Sequence, residues 1–419
     1  MTKTKEKPII RSSTHSLKFA NPGKRSEISV LLDEYKRLLK ILIDDVWDNG
    51  VSGFDLNISS NRLNCPGLLP NGYLKAFSSP LTARMKQCVG KQACSMIKGA
   101  LKKRSKQLYM LRKLQSEGKN TGRLQRVIDL YPLIKPSVDR ATAVLDSRFV
   151  DIQSSDGLFN LFVMVRTKDG SDIKIPVKHT KVSRKWLKKG KLKNSIRLDN
   201  DAVTLIFDIP KPKPTKGRSV GCDPGSTDVC SFSDKQVTKP CKHGHTLSSI
   251  QDILARRKKG SRGFKRAQAH RTNYINWSLN QIDFSGIEEV RLENIFHLRF
   301  KNPTSRRMSH WTYTGINRKM TSLSEIEGFR LKEMSCPFRS QRCNACAWVC
   351  KANRKGKTFK CVKCGHQDDA DLNAASNLEL DLPEVPIWVR WNKLNVAGFY
   401  WTFDGLTSSD HEPIVRDTQ

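Results

Sequence analysis

The chain has no long apolar run. LFNLFVMV falls far short of the ~20 residues that a helix needs to cross a bilayer, so no membrane span is expected. The opening MTKTKEKPIIRSSTHSLKFA lacks the apolar core of a secretory signal, which predicts a reducing, cytoplasmic setting. The 12 cysteines are then not expected to build a disulfide framework. Acidic residues are also scarce. There are 40 Asp and Glu against 75 Lys and Arg, a formal net charge of +35. Such an excess repels itself unless a polyanion neutralises it, and nucleic acid is the partner that this charge fits.

The pattern changes along the chain. HSLKFA alternates like a strand, and NPGKRS breaks it. Ser26 is then expected to cap a helix whose apolar face carries Ile28, Leu31, Leu32, Tyr35, Leu38, Leu39, Leu42, Val46 and Trp47. Residues 50–77 read as loop, and 81–117 as a second, strongly basic helical block. From about 141 the segments RFVDI, LFNLFVMVRT, DIKIPV and AVTLIFDI read as strands of a small antiparallel barrel. The basic run KVSRKWLKKGKLK interrupts them. Its Trp186 has two readings, a ring exposed for stacking a base or one tucked inward. PKPKPTKG, residues 210–217, is a stiff linker. Beyond it the pattern predicts a strand from Val220 to Asp223, one long basic helix over 247–283 and a strand ending at Glu293. RFKNPTSRR reads as a basic loop, and SHWTYTGINRKMTSLSEIEGFRLKEM as mostly helix.

Two kinds of chemistry stand out. Cys343-x2-Cys346 and Cys361-x2-Cys364 are 14 residues apart. Each pair offers two thiolates from one turn, and two such turns complete a four-thiolate structural zinc site. Cys350 is a spare, His366 reads as a turn residue, and Cys241, His243 and His245 lack a fourth partner nearby. Asp223, Glu293 and Asp371 are carboxylates far apart in sequence, each expected at the end of an element. That set is what a phosphodiesterase needs to hold two Mg2+ ions roughly 4 Å apart.

The stretches GCDPG, RLENI and SQRCNAC…CVKCGHQDDADLNAASN resemble, in this order, the three motifs of a RuvC-type nuclease with a zinc ribbon before the third. The combination is similar to the TnpB family of transposon-encoded nucleases and the miniature type V CRISPR effectors. The resemblance implies an α+β multidomain chain. A wedge β-barrel would span 1–25 and 136–212, with a helical recognition lobe inserted over 26–135. An RNase H-like RuvC α/β domain would cover 213–340 and 367–419, with the four-cysteine zinc ribbon at 341–366. It implies Asp223, Glu293 and Asp371 as the catalytic Mg2+ ligands and matches Arg342 to a basic position near the active site. Arg342 is therefore expected either to contact the scissile phosphate or to sit exposed on the ribbon. Cys222 replaces an aliphatic residue, and Ala347 the glycine that commonly follows the first cysteine pair.

The implied activity is RNA-guided cleavage of double-stranded DNA beside a short motif. The guide would be an omega RNA or a crRNA-like RNA, carried by a monomer or an asymmetric homodimer in a nucleoid-associated, prokaryotic or phage setting. Two alternatives remain: a guided repressor that binds without cutting, and a RuvC-type nuclease that needs no RNA.

Overall fold

A computed structural model describes residues 8–48, 72–118, 120–130, 133–167, 170–295, 305–386, 389, 398–409 and 412–414. The loop expected over 50–77 lies outside these residues as far as 71, and RFKNPTSRR as far as 304. The chain is a mixed α+β protein of two compact units, 1–210 and 211–419. Among the described residues no helix is long and apolar enough to cross a membrane.

In the first unit, β1 (Ile9–Ser16) is followed by a 3-10 turn at Leu17–Phe19 and by helices α1 (Pro22–Asp48), α2 (Ala83–Ser116) and α3 (Gly122–Leu130). Strands β2 (Ala143–Leu145), β3 (Val150–Ser154), β4 (Leu161–Arg166) and β5 (Asp172–Val177) come next, then α4 (Lys181–Lys189), β6 (Lys191–Leu198) and β7 (Ala202–Ile209). The strands expected as one barrel hydrogen-bond into two antiparallel sheets, β1-β7-β6-β2 and β3-β4-β5. The outermost strands in sequence, β1 and β7, pair from Ile9↔Ile209 to Ser16↔Ala202.

Two local expectations are corrected here. Helix α1 starts at Pro22, before Ser26, because proline is preset for the first helical turn and Asn21 Oδ1 accepts the Lys24 N–H at 2.9 Å. Trp186 is buried, because a Thr180–Ser183 capping box winds KVSRKWLKK into α4 and turns the ring inward.

The second unit is built on β8 (Arg218–Asp223), β9 (Ser231–Phe232), β10 (Ile287–Asn294) and β11 (Arg330–Ser335), in the order β11-β10-β8-β9. β8, β10 and β11 are parallel, and β9 is antiparallel to β8. Parallel neighbours need crossover connections. These are α5 (Leu247–Arg256) and α6 (Arg262–Leu279) before β10, and α7 (Tyr313–Glu327) before β11. Their apolar faces close a core around Val220, Leu254, Tyr274, Val290, Leu292 and Met320.

The expected single helix over 247–283 is thus two. Gly260 at φ +86° breaks it, and Ser261 recaps the chain by accepting the Phe264 N–H at 3.1 Å. The helix expected through Met334 stops at Glu327, because Gly328 adopts the left-handed conformation that ends helices. RLKEMS then pairs with β10 as a strand.

Short strands follow: β12 (Trp348–Val349), β13 (Arg354–Lys355), β14 (Thr358–Lys360) and β15 (Gln367–Asp369). β15 runs directly into helix α8 (Ala370–Glu379). From the tail, β16 (Phe399–Thr402) pairs with β12, and β17 (Gly405–Thr407) extends that sheet.

Candidate metal centre and carboxylate site

The two CxxC turns meet. The sulfurs of Cys343, Cys346, Cys361 and Cys364 all lie within 4.8 Å of one another. Cys343 Sγ is 3.7 Å from Cys364 Sγ, and Cys346 Sγ is 3.5 Å from Cys361 Sγ. A tetrahedron with Zn–S bonds of about 2.3 Å has edges of about 3.8 Å, so the four sulfurs fit a zinc ion. The His366 backbone N–H, the largest influence on the Cys364 thiol, helps to lower its pKa to about 7 and favours the thiolate. Ala347 takes φ +66°. This is the left-handed conformation for which glycine is the usual residue, so the alanine keeps the turn that a glycine would make. Cys350 stands outside the cluster, and Cys241, His243 and His245 form no ion-holding group among the described residues.

The three carboxylates are set by neighbouring elements. In the parallel β8–β10 pair, Cys222 is level with Leu292, so Asp223 and Glu293 occupy the next level on adjacent strands. Residues at one level share a face, and the two carboxyl groups hydrogen-bond to each other. Asp371 lies in the first turn of α8, which packs on β8 with almost no gap. A Cβ on Gly221 would stand 1.9 Å from the Ala375 carbonyl oxygen and 2.6 Å from the Glu379 nitrogen. Glycine is therefore what lets α8 bring Asp371 to Asp223. Gly221→Ala is expected to cost more than ~3 kcal/mol of stability, as overpacking against immovable backbone does. Thermal melting with DNA cleavage as a second readout checks this.

The acidic knot around Asp371 now divides by role. Asp369 caps α8, its Oδ1 accepting the N–H of Asp371 at 2.9 Å and of Leu372 at 3.1 Å. Asp368 Oδ1 accepts the Asp369 N–H at 2.8 Å. Both point into the turn, which leaves Asp371 as the acid that meets Asp223.

Burial and crowding act together on these acids. Asp223 is pushed up to about 6, chiefly by burial and then by the Asp371 charge. Glu293 is pushed well above the usual range, again by burial first and by Asp223 second. The three do not close to the single-ion spacing of the cysteines. Asp223 interacts with both others, Glu293 by a hydrogen bond and Asp371 through charge. A bound cation at this group would relieve the repulsion.

Cations from the ribbon already face this group. Arg354 Nη2 donates to Asp371 Oδ1 at 2.9 Å, and Lys357 pairs with Asp371 Oδ2. Lys357 Nζ also reaches Asp228 at 3.1 Å. Both belong to the basic stretch KANRKGKTFK, residues 351–360. Their inward turn follows from the β13–β14 hairpin pairing with β15, the strand that feeds α8. No spacing in the sequence signals it.

Arg342 is elsewhere, and this corrects both expectations for it. It is buried, neither exposed on the ribbon nor turned to the carboxylates. Its Nε donates to the Trp401 carbonyl at 2.8 Å and its Nη1 to Asn377 Oδ1 at 2.6 Å. Asn373 and Asn377 return amide N–H bonds to the Arg342 carbonyl at 2.8 and 2.7 Å. The group is a tie between the ribbon base and α8. Arg339, also buried, donates to the Asn377 carbonyl, and its charge offsets part of the rise at Glu293.

Residues 313–378 match the family model "Cas12f1-like, TNB domain". A stretch of 118 residues is 29% identical to the CRISPR-associated endodeoxyribonuclease Cas12f1 of Sulfoacidibacillus thermotolerans. That match spans 28% of this chain and only 27% of the relative's length. Among solved structures, the mini-RNA-guided endonuclease CRISPR-Cas_phi3 superposes with a TM-score of 0.50 at 10% identity, covering 91% of this chain and 94% of that one. A Cas12f1–sgRNA–target DNA complex gives 0.43 at 13% identity, covering 90% and 99%. The chain thus resembles the miniature type V effectors, and the multidomain α+β fold is of that kind.

Proposed function

We propose that this chain, which shares its ribbon-bearing segment with a Cas12f1-like domain, is an RNA-guided DNA endonuclease of the TnpB and miniature type V kind. In this reading the guide RNA supplies sequence recognition by base pairing and the protein reads a short adjacent motif. The charge of +35 suits a protein that holds RNA and DNA mainly through phosphates. The observation that carries the reading is the grouping of Asp223, Glu293 and Asp371, from two strands and a helix, beside a four-cysteine ribbon.

The sheet β11-β10-β8-β9 with α8 is the proposed RuvC domain, and the two antiparallel sheets of residues 1–210 are the proposed wedge around the helical lobe. Bound Mg2+ would supply water activation and leaving-oxygen stabilisation. Asp223, Glu293 and Asp371 would hold it. Asp369 keeps Asp371 in place by capping its helix. Arg354 and Lys357 put positive charge where a phosphodiester would arrive, and the Arg342–Asn377 tie fixes α8 to the ribbon.

The test is cleavage of plasmid DNA by the protein–RNA complex from cells carrying the native locus. The reading expects products in Mg2+, none in EDTA, and loss of specific products after RNase treatment. Cutting that survives RNase would favour an unguided nuclease. Guided binding without products would favour a repressor.

A further inference from the structure

A patch in residues 1–210 carries chemistry that the carboxylate site does not use. In β4 the burial alternates, with Leu161, Val163 and Val165 inward, so Phe162 stands on the opposite face of the β3-β4-β5 sheet. Lys174, on the neighbouring β5, holds its ammonium 4.4 Å from the Phe162 ring centroid. Phe159, just before β4, meets Phe162 edge-on at 5.9 Å. Phe19, at the end of the 3-10 turn after β1, meets Phe159 at 5.4 Å. Lys18 and Lys178 lie 4.9 and 5.3 Å from the Phe19 ring, and Lys178 is also 5.6 Å from Phe159.

Three touching phenylalanines would ordinarily be core. Here Phe19 is 38% exposed, and Phe159 and Phe162 are half-buried. The sheet's inward face is already filled by the aliphatic residues of β4 and β5. Among the described residues none of the three lysines has a carboxylate partner. At an exposed ring a cation is held only weakly, so the ammonium groups are free to move onto phosphates. An aromatic surface fringed by unpaired lysines is what unpaired nucleotides bind, with bases on the rings and phosphates on the cations. Duplexes keep their bases stacked inside and offer such rings nothing.

We propose that Phe19, Phe159 and Phe162, with Lys18, Lys174 and Lys178, form a binding site for an unpaired RNA segment. The choice of RNA rests on the guided reading above, since the guide would be the single-stranded nucleic acid that this protein carries permanently. The stacking role considered for Trp186 falls to these phenylalanines instead.

The experiment uses the full chain, purified free of nucleic acid. The probe is a labelled, unstructured 12-nucleotide RNA, compared with the same sequence as single-stranded DNA and with duplex DNA. Raised salt suppresses binding by charge alone. Phe159→Leu and Phe162→Leu keep apolar bulk and remove the ring, and Lys178→Gln tests the fringe. Each leucine variant is expected to bind RNA about 5- to 100-fold more weakly, the range for losing one base–aromatic stack. Duplex binding and melting temperature should stay as in the wild type, and ultraviolet crosslinks should map to the peptide holding Phe159 and Phe162. Unchanged RNA binding in both leucine variants would overturn the site, as would equal losses for RNA and duplex. Single-stranded DNA bound tighter than RNA, with the same leucine losses, would overturn the choice of RNA. If cutting proves RNA-independent while the leucine losses remain selective for RNA, the guided reading falls and the binding site stands. Guided cutting with unchanged leucine variants gives the reverse.

Discussion

If the chain is the proposed nuclease, Asp371→Ala and Asp223→Ala are each expected to lower DNA cleavage on the order of 10³-fold, the cost of removing a preorganised group at the reacting centre. RNA and DNA binding are expected to stay within about twofold, because in that reading affinity would rest on many distributed phosphate contacts. Cleavage kinetics beside binding titrations separate the two effects, and an Asp223→Ala variant that still cuts contradicts the site. A linked result concerns stability. The folded-state pKa of Asp223, about 6 against an ordinary 3.8, means that the folded chain holds this proton longer than the unfolded chain. Without metal, the Asp223 contribution therefore falls as the pH rises from about 4 through 6, and Glu293, also raised by burial and by Asp223, adds to the fall as the pH rises through its own raised value. Asp223→Asn removes this cost and is expected to stabilise the metal-free protein at pH 8 by up to about 3 kcal/mol. Mg2+ is expected to raise the melting temperature of the wild type more than that of the variant. A lower melting temperature for Asp223→Asn at pH 8 would mean that the crowding described here is absent.

Zinc removal has the second large effect, and it reaches the carboxylates. A structural zinc site contributes on the order of 10 kcal/mol to the folding of its ribbon. β15 leaves the ribbon and becomes α8 without a linker, and Arg342, next to Cys343, is bonded to Asn377 on the same helix. Loss of the ribbon therefore frees the start of α8 and with it Asp371. Cys361→Ser, or chelation of the wild type, is expected to lower cleavage at least ~10²-fold, the cost of misplacing a reacting group by about an ångström. The sheets of residues 1–210 should stay folded. Metal analysis should find one zinc per chain in the wild type, and hydrogen exchange should show lost protection over residues 370–379 in the variant. Full cleavage by a zinc-free protein would show that α8 holds its place without the ribbon.

How far the sequence could be read depended on whether the signal was local. The cysteine pairs were legible because a CxxC turn carries its geometry with it, and the sulfurs of Cys343, Cys346, Cys361 and Cys364 do come together. The adjacency of Asp223 and Glu293 was legible through two apolar strands that each end in an acid. The closeness of α8 to β8 depends on Gly221, which stands in the GCDPG stretch but whose contact with α8, around Ala375 and Glu379, lies more than 150 residues away in sequence. The resemblance puts Arg342 near the active site, with an exposed ribbon position as the alternative, and neither holds because its partners are distant in sequence. Its partners, Trp401 and Asn377, are 59 and 35 residues away in sequence. Trp186 turned inward because a four-residue capping box, weak as a sequence signal, fixes the rotation of its helix. No local signal marks Arg354 and Lys357, because only the β13–β14–β15 register turns them toward Asp371.

The central claim is that RNA directs the carboxylate site to DNA, and sequencing the RNA that co-purifies with the wild-type chain from cells carrying its native locus tests it most directly. The account predicts one abundant RNA with a constant scaffold and one variable end, able to direct cutting at a matching DNA in Mg2+. Random fragments, or no RNA at all, would contradict it and would mean that the charge of +35 serves DNA directly.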